Sequence, residues 1–277
     1  MAKRKRGMTS RKIERWIKEG RGLGTLGAYK PWLTIQDVPS DGCASRIKGW
    51  TTNGRIHHLL SKLEKKYFYL LDWSPIVKDI REQFPLPLAD TIRIAEQLGV
   101  EHPTDPHTKE LFPMTTDFLI TVEKDGVLME VARSTKYVQE LQDQRCCEKL
   151  EIERLYWAER GVDWGVVTEE EIPEVLVANI EAIHQYYDVG SLSPLTSTQV
   201  TTIGEELTRA VKDTQEPLYA VASALDHQLG VKAGRCLAVV RHLIATRQWI
   251  IDMSSPFDTE CPIALLSVNL KPIHQEV

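Results

Sequence analysis

Several things are missing from this chain of 277 residues, and each absence removes a class of protein. Cys43, Cys146, Cys147, Cys236 and Cys261 form an odd set without a C-x-x-C pair, so neither a disulfide framework nor a thiolate zinc site is indicated. Reduced thiols in a cytoplasm are expected. No apolar run approaches the roughly 18–20 residues that cross a bilayer, and the N-terminus lacks a signal-peptide core. No phosphate-cradling glycine loop, dinucleotide fingerprint or Ser-His-Asp or Cys-His nucleophile set is present, so nucleotide hydrolysis and acyl transfer are not expected. Internal repeats and low-complexity tracts are also absent. The remainder, 42% apolar and 26% charged, is the composition of a soluble globular protein of one or two domains.

Charge is unevenly distributed. The net value is −5, yet residues 1–22 carry Lys3, Arg4, Lys5, Arg6, Arg11, Lys12, Arg15, Lys18 and Arg21 against Glu14 and Glu19, leaving about −12 on the remainder. That pattern predicts a basic N-terminal arm at 1–22 on an acidic body, with Lys3, Arg4, Lys5, Arg6, Arg11 and Lys12 as candidates for contact with a nucleic-acid backbone.

Helical and strand patterns alternate up to about residue 187, and a Gly/Ser/Pro/Thr stretch over 190–198 reads as a linker. The first domain is therefore expected at 23–187 and the second at 200–277. Helices are predicted over 9–20, 57–72, 139–160 and 173–187, with strands over 76–85, 115–123, 127–133 and 164–168. Lys124-Asp125-Gly126 marks a hairpin turn. That turn places Thr121 opposite Glu130, Leu119 opposite Ala132, and Asp117 opposite Ser134. Phe118, Ile120, Val122, Val127, Met129 and Val131 then form a packed face, and Asp117 shares the other with Glu130, Ala132 and Ser134. In this register Asp117 and Glu130 are offset by about four residues, or ~13 Å. Joint metal binding therefore requires a bulge or splayed strands.

Two acids on a sheet are more often solvated than functional, and a helical Glu64 among lysines reads equally well as a surface charge pair. Glu64, Asp117 and Glu130 together read as an oxygen-rich site for Mg²⁺, with Mn²⁺ as an alternative. Glu130-Val131-Ala132 then has the outline of a nuclease E-x-K motif with alanine in place of lysine. His57-His58 and Cys146-Cys147 are expected to pack or cap.

The second part reads as helices near 201–213, 217–229 and 232–246, followed by strands near 247–253 and 263–269. That is the order of a winged helix, with Lys232, Arg235, Arg241 and Arg247 on the outer side of its third helix. Such a domain docks proteins at least as often as it enters a DNA groove.

Several segments resemble the TnsA endonuclease family of heteromeric cut-and-paste transposons, some of which are CRISPR-associated. They are Ile17-Lys18-Glu19-Gly20-Arg21-Gly22, Pro31-Trp32-Leu33-Thr34, Gly54–Ser61, Asp79–Leu86, Thr116–Leu119, and Glu148–Glu151 with Arg154 and Tyr156-Trp157. The resemblance covers most of 17–170. It implies an α/β protein with a restriction-endonuclease-like catalytic domain followed by a winged-helix-like domain. It places the metal-binding set at Glu64, Asp117, Glu130 and Val131, and the catalytic lysine's position at Ala132. An impaired Mg²⁺-dependent endonuclease is therefore expected, either engineered at Ala132 or naturally degenerate, with the intact remainder favouring engineering. The implied reaction is cleavage of the non-transferred strand at transposon 5′ ends. The implied partners are transposon-end DNA, a DDE-type transposase subunit and an AAA+ ATPase regulator in a bacterial cytoplasm, with no membrane. Two other readings stay open. One is a non-catalytic DNA- and protein-binding adaptor on a degenerate nuclease fold; the other is a winged-helix transcriptional regulator.

Overall fold

The computed structural model describes residues 7–38, 43–212 and 214–270. The chain divides into two compact units at Ile172/Pro173.

In the first unit, helix α1 (Ser10–Lys18) starts at Thr9, whose hydroxyl caps Lys12 N–H. Trp16 anchors it, fully buried and edge-on to Trp32 at 5.2 Å. Met8 N–H and Ser10 bond to Asp105 and Glu110. Residues 7–22 are thus docked on the unit rather than forming a free arm; Lys3, Arg4, Lys5 and Arg6 lie outside the described residues. Arg11 is exposed, whereas Lys12 lies over the Trp16 ring at 4.7 Å.

The segment expected as one helix over 57–72 is split. Ile56–Leu59 form β2, paired antiparallel with β1 (Ser45–Lys48), and α2 runs from Lys62 to Trp73. The division falls at Ser61, whose hydroxyl accepts the Glu64 N–H at 3.0 Å while the Glu64 carboxylate accepts from Leu60 N–H at 2.9 Å. This reciprocal cap fixes where the helix begins.

The main sheet has the order β3 (Val77–Pro85), β4 (Thr115–Lys124), β5 (Val127–Thr135) and β6 (Asp163–Val167). Its first pairs are antiparallel, and β5–β6 is parallel. Parallel pairing needs a crossover, supplied by α4 (Gln144–Ala158). Helix α3 (Leu88–Leu98) lies in a stretch with no predicted element.

The hairpin register is Thr121 to Glu130 and Leu119 to Ala132, with no shift along β4–β5. Phe118 packs edge-on against Tyr67 of α2 at 5.5 Å. The opposite face is buried too, for Leu119 and Ala132 join Leu86, Ile94, Ile152, Tyr156 and Trp157 in one apolar cluster. Both faces are therefore covered at the Asp117 end. At the turn end Val127, Leu128 and Met129 are exposed, contrary to the packed face expected for Val127 and Met129. The reason is that β6 reaches only as far as Val131, leaving the hairpin tip uncovered.

The second unit contains α5 (Glu174–His184), α6 (Ser197–Lys212), α7 (Leu218–Gln228), α8 (Arg235–Ala245) and the short antiparallel pair β7 (Trp249–Ile250) and β8 (Ser267–Val268). Helix α5 packs on α8, so it belongs here rather than closing the first unit. No residue of α8 is exposed. Arg235 donates to Ser193 O, and Arg241 stacks on Tyr186. Arg235 and Arg241 of the expected basic row are thus engaged within the unit, while Lys232, ahead of the helix, is exposed. No helix among the described residues is long and apolar enough to cross a membrane.

Candidate active site

The end of the sheet at which β5 leaves the hairpin gathers the chemistry. Asp117 Oδ2 accepts from Thr135 N–H at 2.8 Å and Thr135 Oγ1 at 3.1 Å, which fixes the carboxylate at the strand terminus. The Lys136 ammonium lies 3.5 Å from the same oxygen and donates to Thr135 O at 2.8 Å. Asp117 raises the Lys136 pKa well above the ordinary lysine value, against the opposing effect of burial. Lys136 is therefore a fixed cation at neutral pH, suited to stabilising negative charge rather than to accepting a proton.

Glu64 enters from the first turn of α2, buried, with its pKa pushed up to about 8 by burial first and then by the charge of Asp117. Gln83 Nε2 donates to it at 3.3 Å. Glu153 of α4 is also buried, and burial followed by Asp117's charge carries its pKa to about 7. Ser134 Oγ donates to Glu153 at 2.6 Å and Trp164 Nε1 at 2.9 Å. Beside these groups is a cleft of about 230 Å³, lined by Thr115, Asp117, Ser134, Lys136, Lys149 and Glu153 among others.

Glu64 and Asp117 are thus brought within electrostatic range of one another, and the rest of the expected set lies elsewhere. Glu130 is exposed on the projecting tip, where it pairs with Arg81 at 2.5 Å. The bulge that would carry it to Asp117 is absent from β4–β5. Val131 sits mid-strand between Ile120 and Asp163. Ala132 is fully buried among Leu119, Ile152 and Trp157. Ala132 thus belongs to the apolar cluster rather than to the group bonded around Asp117. The lysine beside the acids is Lys136, reached from Asp117 through the end of β5. Its signal was present in the sequence, since the predicted register already set Ser134 abreast of Asp117 and Lys136 shares the parity of Ser134.

Among the described residues no three His, Cys, Asp or Glu side chains gather closely enough to cage an ion. The donors present still suit a hard dication. The Asp117 and Glu64 carboxylates and the Thr135 carbonyl are all oxygen donors, and Lys136 bonds to Thr135 O at 2.8 Å. Magnesium commonly takes one or two carboxylates and completes its shell with water and substrate phosphate.

Residues 74–169 match the TnsA-like endonuclease N-terminal family, and residues 171–253 match the TnsA endonuclease C-terminal family. These two matches meet where the chain divides. The transposon Tn7 transposition protein TnsA of Escherichia coli is 45% identical over 184 residues, covering 66% of each chain. The match thus spans about two thirds of that relative's length. With both family matches in sequence order and the acids and lysine gathered at one sheet end, the chain belongs to the TnsA endonuclease family.

Proposed function

We propose that this protein is the Mg²⁺-dependent endonuclease subunit of a Tn7-like transposase, cutting the non-transferred strand at transposon 5′ ends. Its first unit would be a restriction-endonuclease-like catalytic domain and its second a winged-helix-like module. The observation that carries the reading is the Lys136 ammonium between Asp117 Oδ2 and Thr135 O, beside Glu64.

Glu64, Asp117 and the Thr135 carbonyl would hold the ion. When bound, it would polarise the scissile phosphate and lower the pKa of attacking water. Thr135 N–H and Oγ1 hold Asp117, which lines the cleft, and Leu60 N–H and Gln83 hold the Glu64 carboxylate. Lys136, held protonated, stabilises the negative charge that develops as water adds to phosphorus. The Ser134–Glu153 pair closes the floor of the cleft beneath it. Lys136 beside Asp117 supports the catalytic reading over a non-catalytic adaptor.

The engagement of Arg235 with Ser193 O and of Arg241 with Tyr186 favours protein docking over groove reading for the second unit. A DDE-type transposase subunit and an AAA+ regulator are the partners its family relation supports, with α1 contacting DNA phosphates. The test is strand-specific cleavage of transposon-end DNA with Mg²⁺ and the partner transposase. The protein as it stands should cut, and Lys136→Ala should cut about 10²–10³-fold more slowly. A Lys136→Ala protein that cuts at the parental rate would remove this lysine from the reaction.

A further inference from the structure

Gln83 has a backbone φ of +50° inside β3, in the left-handed region that side chains other than glycine's seldom enter. It lies across from Asp117, since Glu82 is abreast of Phe118 and Phe84 of Thr116. The conformation is held from several directions. The Tyr29 hydroxyl donates to Glu82 O at 3.1 Å, and Trp32 N–H donates to Gln83 O at 3.2 Å. The neighbouring Glu82 carboxylate is fully buried and clamped by Arg55 at 2.8 Å, His57 at 2.9 Å and His58 N–H at 3.1 Å. Strained residues of this kind persist where surrounding structure over-determines them, and they concentrate at functional sites.

The side chain shows what the conformation accomplishes. Only 3% exposed, its amide donates through Nε2 to Glu64 Oε2 at 3.3 Å and accepts through Oε1 from Thr115 Oγ1 at 3.2 Å. Thr115 and Gln83 thereby tie β4, β3 and the start of α2 together around one carboxylate. We propose that Gln83 is a positioning residue, whose left-handed backbone turns its amide onto Glu64 and so sets the aim of one of the two carboxylates facing the ion. The proposal rests on the endonuclease reading and deepens it, because Gln83 adds a side-chain donor from β3 to the Leu60 N–H bond that already holds Glu64 Oε2.

Two substitutions separate positioning from simple packing. Asparagine enters the left-handed region more readily but is one methylene too short to keep the bond to Glu64. Methionine keeps length and volume but has no donor. Mn²⁺ binding to the full chain, followed by calorimetry, should weaken about tenfold in both Gln83→Asn and Gln83→Met. The ion-free melting temperature, measured for both variants, tells loss of fold from loss of ion affinity. A residue that only packs would lower the melting temperature and leave the Mn²⁺ affinity alone. A folded variant of either kind that binds Mn²⁺ as the parent does overturns the proposal. Asp117→Asn, measured alongside, tests the underlying reading. If it abolishes binding while the Gln83 variants bind normally, positioning alone fails; if it binds normally, the ion site itself fails.

Discussion

At the scale of single residues, Ala132 and Lys136 have contrasting surroundings. Both lie on one side of β5, yet one meets Leu119 and Trp157 and the other meets Asp117. Placing lysine at Ala132 would force an ammonium into an apolar cluster at a cost on the order of several kcal/mol. Ala132→Lys is accordingly expected to lower the melting temperature sharply without raising nuclease activity, as thermal unfolding and a cleavage assay would show. Glu153 supports a prediction with a definite sign. Its folded pKa of about 7 lies above the ordinary value of 4.5, so the folded state holds this proton more tightly than the unfolded state. The resulting stabilisation is complete below about pH 4.5 and is lost as pH rises towards 7. Glu153→Gln should therefore raise the melting temperature at pH 8 relative to the parent and change it far less at pH 4. Parallel melting curves for the two proteins across that range would refute this burial account.

At the scale of elements, α1 and the β4–β5 hairpin show how context overrides local pattern. Helix α1 is basic, yet Trp16 and the bonds to Asp105 and Glu110 make it part of the folded unit. Arg11, Arg15 and Lys18 remain exposed on it. Reversing these three charges should weaken duplex binding by at least about tenfold near 0.1 M salt and flatten its salt dependence, with the melting temperature little changed. Unchanged binding in a fluorescence titration would place the DNA elsewhere. In the hairpin, alternation and the Asp125-Gly126 turn made the register legible, and the register was right. They could not reveal which end of the ribbon is covered. Glu130 and Ala132 matched a nuclease motif by spacing, but Glu130 lies on the uncovered tip and Ala132 under a helix. A helix was expected from residue 57, and the Ser61–Glu64 cap marks its true start.

At the scale of the whole molecule, the order of elements and the two-part division could be read from periodicity and turn residues. The division itself lies at Ile172/Pro173, because what α5 packs against is a tertiary fact that no local pattern records. The same holds for the buried α8 and for Gln83, whose conformation depends on Tyr29, Trp32 and Thr115 from distant segments. What unites the levels is one sheet end where a helix cap, a strand terminus and a bent neighbouring strand converge on a pair of carboxylates. The most direct test is an anomalous-scattering map of crystals grown with Mn²⁺ and transposon-end DNA. A peak roughly 2.0–2.6 Å from carboxylate oxygens of both Glu64 and Asp117 is predicted. A peak at Glu130, or none near Asp117 in crystals that hold the DNA, would contradict the account.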